Sequence, residues 1–165
     1  MRVIISSIRD MLADNQEDMI RSYIETYSCE TEKEDGALLG YFSLAHKPLE
    51  IPAGGIPRKI KDKIKRFSSL DEENDCYSVS AFLIGQFGKN YAVDNGRRIS
   101  GTELMNIAIE KLRSAQNIVG GTIAYLDCEA DAELIQFYES QKFTLFGERI
   151  SDNDGKRYLQ YLNFV

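Results

Sequence analysis

The chain has few of the residues that form disulfide frameworks and metal sites. Its 165 residues contain three cysteines, at positions 29, 76 and 128, and one histidine. The number of cysteines is odd and no two of them have the Cys-x-x-Cys spacing, so the sequence predicts neither a disulfide framework nor a metal site. Free thiols are typical of a reducing compartment, and we therefore expect a cytoplasmic protein.

Long apolar stretches are also absent. Near the start of the sequence only Val3, Ile4 and Ile5 form an apolar run, which is too short for the core of a signal peptide. Nowhere do 18 apolar residues follow one another, as a membrane-spanning helix requires. We therefore expect no membrane partner.

The chain also has fewer cationic than anionic side chains. Lys and Arg number 20 against 26 for Asp and Glu, which gives a formal net charge of −6. Binding that neutralises many phosphates needs a broad cationic surface, so this charge argues against nucleic acid as a partner. The segment Ile56–Phe67 is a local exception, with six cations and one Asp. It is interpreted either as a short amphipathic helix with a solvated face or as a surface that binds a partner.

The chain does have enough apolar side chains for a core. Hydrophobic residues make up 43% of it, with nine Tyr and eight Phe. At about 150 residues per domain, the length predicts one domain over residues 1–165, which buries about 68–70% of the surface of the unfolded chain.

The spacing of the apolar residues alternates between helical and extended patterns. Steps of three and four residues predict helices over Met1–Ser28, Ile56–Phe67, Gly101–Asn117 and Asp131–Gln141. Runs rich in β-branched and aromatic residues predict strands over Ala37–Ala45, Tyr77–Val93, Thr122–Cys128, Phe143–Ile150 and Tyr158–Phe164. Asp154-Gly155 is a hairpin signal between the last two strands. This order of elements is that of an α/β protein.

One junction carries residues suited to binding an anion. The segment Asn95–Glu103 lies between a predicted strand and a predicted helix, and it holds two Gly, two Arg and two hydroxyl residues. The N–H groups of a helix N-terminus, together with arginines, form a phosphate site. In the alternative, Ser100-x-x-Glu103 is a capping box whose side chains satisfy the same N–H groups.

Four segments follow one another in a recognisable order: the strand Leu83–Lys89, the loop that ends in Ser100-Gly101, the helix that begins with Thr102, and Phe137–Phe143. In order and separation they resemble the GNAT superfamily of acyl-CoA-dependent N-acetyltransferases, over about residues 37 to 165. The resemblance implies an acyl-CoA N-acyltransferase-like fold with three layers, in which a mixed central sheet is flanked by helices and ends in a β-hairpin.

The sequence departs from the family pattern at four positions. Gly96 stands where Gln or Arg is usual, Ile99 and Lys142 stand where Gly is usual, and Asp131 replaces a frequent Asn. The region over residues 1–36 is shorter than the family's N-terminal region. We therefore expect an acceptor site that is open or that a second copy completes, as in a homodimer.

The resemblance also implies a co-substrate and the residues that hold it. Acetyl-CoA is expected to bind through its pyrophosphate, with no metal, and a backbone N–H of the splayed strand is expected to polarise the thioester carbonyl. The residues assigned to this site are Phe87, Gly88, Lys89, Arg97, Arg98, Ile99, Ser100, Gly101 and Thr102.

For the catalytic groups the resemblance assigns one residue and leaves the second open. Tyr138 occupies the position of the general acid in many members, and the alternative is a core aromatic residue on a helix face. The general base is not identified, and Asp127 and Glu129 on one face of their strand are its candidates.

These assignments lead to two classes of function. The first is an N-acetyltransferase that moves an acetyl group directly to an amine of a small molecule or protein within a ternary complex. An aminoacyl-tRNA-acetylating toxin is a subtype of this class. The negative net charge of the chain argues against it. The second class is a non-catalytic module that binds acyl-CoA or another protein.

Overall fold

The structure is a computed structural model that describes residues 24–30, 38–92, 96–151 and 155–165. In chain order its elements are β1 (Ile24–Glu30), β2 (Leu38–Pro52), α1 (Arg58–Ile64), β3 (Leu70–Asp71), β4 (Cys76–Lys89), α2 (Gly101–Val119), β5 (Ile123–Glu129), α3 (Ala132–Ser140), β6 (Thr144–Ile150) and β7 (Arg157–Phe164). Strands and helices alternate through most of the chain, which confirms the α/β prediction.

The chain forms two compact units. The first comprises the described residues up to Ala45 together with Ile84–Lys111, and the second comprises His46–Leu83 and Leu112–Val165. The long elements β2, β4 and α2 contribute residues to both units.

In the first unit, β1 pairs with β2 in antiparallel register, from Ile24 opposite Ala45 to Glu30 opposite Leu38. The carboxyl-terminal part of β4 lies on the other side of β2. Gly40 permits close packing here, because a Cβ at this position would lie 3.0 Å from the Gly88 carbonyl oxygen and 3.0 Å from a methyl group of Leu104.

The helix predicted over Met1–Ser28 is wrong for its last five residues. Residues 24–28 belong to β1, and the remainder of the prediction lies outside the described residues. The segment has apolar residues at helical spacing but contains Ile24, Thr26 and Tyr27, which favour strands. Pairing with β2 therefore overrides the local helical pattern.

In the second unit the strand order is β2, β4, β5, β7, β6, and β3 pairs with the start of β4. The β4–β5 pair is parallel, with Ala81 opposite Ile123, and the β5–β7 and β6–β7 pairs are antiparallel. Parallel neighbours need a long connection, and here the chain between them includes α2. Pairing of β6 with β7 confirms the C-terminal hairpin, whose predicted turn residue Asp154 lies outside the described residues.

The core of the second unit forms around α1. Ile60 and Ile64 of this helix are buried at 7% and 0% exposure. They belong to one apolar cluster with residues of the sheet, namely Leu49, Ile51, Tyr77, Val79, Ala81, Ile123, Tyr125, Phe146 and Leu162. The helix predicted from the isoleucine spacing is confirmed, although it is only seven residues long.

The boundaries of several elements match the sequence prediction closely. The helix predicted over Asp131–Gln141 is α3, with Asp131 as its N-cap and Gln141 as its C-cap. The Asp131 carboxylate accepts hydrogen bonds from the N–H groups of Glu133 and Leu134, at 2.9 and 3.1 Å. The two-residue strand β3 was not predicted, because two residues are too short to show a pattern. No helix within the four described ranges is long and apolar enough to cross a membrane.

The buried Tyr77 side chain gives a test of this core. Tyr77 is 1% exposed, and its hydroxyl finds no hydrogen-bond partner among the described residues. A buried polar group without a partner costs about 1–3 kcal/mol. We therefore expect Tyr77→Phe to raise the free energy of unfolding by about 1 kcal/mol in urea denaturation.

The matched control is Ile64→Val in the same cluster, which should lower the free energy of unfolding by about 1 kcal/mol if the cluster is well packed. A clear loss of stability in Tyr77→Phe would show that the hydroxyl has a partner and would contradict the expectation.

Candidate active site

In the first unit, the carboxyl-terminal part of β4 contains an unusual backbone hydrogen bond. The N–H of Gln86 donates to the hydroxyl of Ser43, at 2.8 Å, and Ser43 is 7% exposed. A Cβ at position 85 would lie 2.9 Å from the same Ser43 oxygen, so Gly85 leaves room for this contact. Farther along, the N–H of Asn90 donates to the Leu39 carbonyl at 2.7 Å. The segment Phe87–Lys89, predicted to polarise a carbonyl, lies between these two contacts.

The side chain of Lys89 contacts two residues that follow β4, Tyr91 and Gly96. Its Nζ donates to the Gly96 carbonyl oxygen at 3.0 Å and lies 5.3 Å from the centre of the Tyr91 ring. Gly96 has a φ of +68°, and a Cβ there would lie 3.1 Å from Tyr91. A Gln or Arg would be strained in this left-handed conformation, which gives a physical reason for glycine at position 96.

The side chain of Ile99 is turned into the protein interior. It is 6% exposed, whereas Arg97, Arg98 and Ser100 on either side of it are exposed. The apolar side chain therefore does not cover the exposed face of the loop, where its two arginines lie.

The start of α2 is a complete capping box. The N–H of Ser100 donates to Oε2 of Glu103 at 2.7 Å, and the N–H of Glu103 donates to the Ser100 hydroxyl at 3.1 Å. Hydrogen bonds to the carboxylate from the backbone N–H and the side chain of Ser100 lower the pKa of the Glu103 carboxyl. The capping-box interpretation is confirmed, and it brings a negative charge to the helix N-terminus.

In the second unit, Tyr138 is an enclosed aromatic residue. Its side chain is 7% exposed, and its ring centre lies 5.1, 6.1 and 6.5 Å from those of Phe137, Phe143 and Tyr161. Burial, and to a smaller extent the nearby Cys128, raises the pKa of Tyr138 to about 12. The hydroxyl therefore keeps its proton throughout the neutral range.

The turn after α3 holds the backbone of Tyr138. The N–H of Phe143 donates to the Tyr138 carbonyl at 3.1 Å, and the N–H of Lys142 donates to the Glu139 carbonyl at 3.0 Å. These two bonds and the contact between the Phe143 and Tyr138 rings form a Schellman motif. The motif requires a left-handed residue after the C-cap, and Lys142 occupies that position with a φ of 67°.

The strand β5 separates Tyr138 from the two candidate bases. Tyr138 packs on Tyr161, which lies opposite Leu126, so its side of the strand is that of Leu126 and Cys128. Asp127 and Glu129 alternate with these residues and lie on the other face. Which of the two is the general base stays a prediction.

Both carboxylates on that other face have cationic partners. Asp127 accepts a hydrogen bond from Arg149 Nε at 2.6 Å and another from Gln160 Nε2 at 3.1 Å. Glu129 lies 3.4 Å from Lys156 Nζ. The side chain of Asp127 is 19% exposed, so its ion pair is the more enclosed of the two.

Cys128 is poorly suited to act as a nucleophile. Its side chain is buried, and burial followed by the charges of Asp127 and Asp131 raises the pKa of its thiol to about 11. The thiolate, which is the reactive form, is therefore scarce at neutral pH. Within the part of the chain that the structure covers, no three His, Cys, Asp or Glu side chains group as metal ligands.

Of the comparisons with known proteins, only the one with solved structures finds similar proteins. No protein-family model matches the sequence, and no curated protein matches it. Among solved structures, AtaT complexed with acetyl-methionyl-tRNAfMet has 15% identity and a TM-score of 0.55, over 83% of this chain and 70% of that one.

Two further structures are similar to the same extent. The NatC complex bound to Gag peptide and CoA has 14% identity and a TM-score of 0.53, over 85% of this chain and 70% of that one. NAA60 of Arabidopsis thaliana in complex with a bisubstrate analogue has 14% identity and a TM-score of 0.52, over 87% and 76%. The chain has the GNAT acyl-CoA N-acyltransferase fold. Identities this low establish the fold alone.

The two units of this GNAT fold divide the predicted site residues between them. The first unit contains Phe87–Lys89 and Arg97–Thr102, and the second contains Asp127, Glu129 and Tyr138. Sequence reasoning missed Ser43 as the partner of the β4 backbone. Its only signal was a hydroxyl residue within an apolar strand.

Lys142 gives a prediction about the turn after α3, which holds the backbone of Tyr138. A left-handed conformation costs a residue with a Cβ about 1–2 kcal/mol. Glycine avoids this cost, although part of the gain is lost to the greater entropy of glycine in the unfolded chain. We expect Lys142→Gly to raise the free energy of unfolding by about 0.5–1 kcal/mol in urea denaturation.

The control is Lys142→Ala, which removes the charged side chain but keeps the Cβ. It should not stabilise the protein. Equal stability of the Gly and Ala variants would contradict the assignment of strain to the backbone of Lys142.

Proposed function

We propose that the protein is an acetyl-CoA-dependent N-acetyltransferase that transfers the acetyl group directly to an amine of a small molecule or protein. The observation that supports this most is the GNAT fold, which the chain shares with the NatC and NAA60 structures. Tyr138, whose backbone is held by a Schellman motif and whose hydroxyl is protonated at neutral pH, is the proposed general acid. The GNAT fold supplies the context in which a tyrosine at this position acts as a general acid.

The residues of the loop before α2 suit a cofactor that carries phosphates. They combine the N-terminus of a 19-residue helix with the exposed side chains of Arg97 and Arg98. Ile99, which stands where the family pattern has Gly, is buried, so its side chain does not lie among the exposed residues of the loop. When bound, acetyl-CoA supplies the thioester whose acetyl group is transferred.

The roles of the protein groups follow from their chemistry. A backbone N–H of Phe87–Lys89 donates to the thioester oxygen as negative charge develops on it. The Tyr138 hydroxyl gives its proton to the departing sulfur. An apolar setting raises the pKa of a thiol as it raises that of the tyrosine, so the difference between the two pKa values stays about as small as in water. The group that accepts the proton of the acceptor ammonium is not assigned, since the candidates Asp127 and Glu129 lie across β5 from Tyr138 and each has a cationic partner.

The test measures acetyl-CoA binding by isothermal titration and CoA release with a panel of amines. Tyr138→Phe should lower kcat about 100-fold, because a general acid typically contributes this much, with little change in the KM for acetyl-CoA. Since the pKa of Tyr138 is about 12, its ionisation should not lower kcat below about pH 10.

Tyr77→Phe is the matched control, because it also removes one buried tyrosine hydroxyl but from the core around α1. It should keep the kcat of the unmodified protein. Absence of acetyl-CoA binding at millimolar concentration would overturn the proposed function, and full turnover in Tyr138→Phe would overturn the role of Tyr138.

A second candidate acceptor is an aminoacyl-tRNA, and the cations around α1 are the observation that favours it. The exposed ones are Arg58, Lys59, Lys63, Lys65 and Arg66. Exposed cations of this kind can neutralise the phosphates of a nucleic acid. AtaT, which has a similar fold, is known in complex with acetyl-methionyl-tRNAfMet. The exposed acidic segment 71–75 weakens this local field.

A charge reversal on α1 distinguishes this candidate. If tRNA binds there, Lys59→Glu should weaken tRNA binding about three- to tenfold at low salt, with a smaller effect at high salt. Lys47→Glu, an exposed lysine of β2, is the control with the same charge change. Equal tRNA binding by the two variants, measured by filter binding, would count against α1 as a tRNA surface.

A further inference from the structure

We propose that Ser80 and His46 form a second reactive site, in which the Ser80 hydroxyl takes an acyl group from a small activated ester and His46 removes the hydroxyl proton. Both residues belong to the second unit, and neither takes part in the proposed acetyl transfer. The inference therefore adds an activity that stands or falls independently of the proposed function.

The first reason is the hydrogen bond between the two side chains. Ser80 Oγ lies 2.7 Å from Nε2 of His46, which is the distance at which a base takes a proton from its nucleophile. In the tautomer that carries its proton on Nδ1, the imidazole accepts at Nε2 and the hydroxyl donates to it. The two residues lie 34 positions apart, on the neighbouring strands β2 and β4, so the tertiary structure makes this contact.

The second reason is that the nucleophile is accessible while the base is held in place. Ser80 is exposed and His46 is half-buried. The imidazole packs against the buried ring of Phe82, with the two ring centres 4.8 Å apart. Phe82 follows Ser80 by two positions and therefore lies on the same face of β4. Its ring supports the imidazole beside the hydroxyl.

The turn before β5 leaves space beside the pair. Gly121 has a φ of +90°, a conformation that favours glycine. A Cβ at this position would lie 3.0 Å from the Phe82 ring and 3.6 Å from Nε2 of His46. Any other residue would crowd the ring that supports the imidazole, so glycine keeps the nitrogen that accepts the proton unobstructed.

The reaction follows from this arrangement. Ser80 Oγ attacks the carbonyl carbon of the ester while its proton passes to Nε2 of His46. The bond from that carbon to the leaving oxygen breaks, and the imidazolium gives this oxygen the proton. The products are an ester of Ser80 and the released alcohol or phenol, with the imidazole again neutral. Water then hydrolyses the Ser80 ester by the same route.

The experiment treats the full chain with p-nitrophenyl acetate, follows the release of p-nitrophenol, and locates the acetyl group by mass spectrometry after acid quenching. We expect acetylation of Ser80. His46→Gln should lower the rate of Ser80 acetylation about 100-fold, because a general base typically contributes at least this much. Ser80→Ala should remove this acetyl group without lowering CoA release with amines.

Ser78 is the internal control, because it is an exposed serine on the same face of β4. In the unmodified protein its acetylation should be at least about tenfold slower than that of Ser80, a comparison that does not depend on the folding of any variant. Ser78→Ala should leave Ser80 acetylation unchanged.

Equal acetylation of the two serines would overturn this inference, and so would an unchanged rate at Ser80 in a folded His46→Gln variant. An acetyl group on His46 that never reaches Ser80 would also overturn it, because the imidazole would then be the nucleophile. These outcomes leave the proposed function intact. Ser80 acetylation without acetyl-CoA binding would instead overturn the proposed function and support this inference.

Discussion

Buried backbone N–H and C=O groups need hydrogen-bond partners, and this requirement shapes the parts of the chain that bear on function. Inside strands and helices the regular ladders satisfy it. In β4 a side chain contributes instead, since Ser43 accepts the N–H of Gln86. Gly85 leaves the space for that contact. This contact lies next to the segment that we assign to carbonyl polarisation.

The start of α2 and the end of α3 follow the same rule with different chemistry. At the start of α2, Ser100 and Glu103 satisfy each other's backbone N–H groups. At the end of α3, the N–H groups of Lys142 and Phe143 satisfy two carbonyls, one of them that of Tyr138. The first arrangement brings a negative charge to a proposed phosphate site, and the second holds the proposed general acid. In the proposed function, the residues that cap these helix ends are therefore the residues beside the proposed site groups.

Much of the fold could be predicted from the sequence because its signals are local. The isoleucine spacing of α1, the cap residue Asp131 and the β-branched runs of β4 and β5 each indicate the element that forms. The prediction is wrong for the last residues of the first helix, because there the decisive interaction is not local. Their spacing is helical, but pairing of β1 with β2 depends on residues distant in sequence. The candidate site was predicted as a set of positions, without the hydrogen bonds that connect them.

The sequence alone determined the order of the elements from β2 onward apart from β3, the capping box at Ser100 and Glu103, and the helix that contains Tyr138, since each depends on neighbours within a few residues. Tertiary structure decided the burial of Ile99, the pairing of Asp127 with Arg149, and the separation of Asp127 from Tyr138 by β5. It also decided the pKa of Tyr138, because that value depends on side chains from other strands that exclude water. Burial and strand register arise only when distant segments pack together.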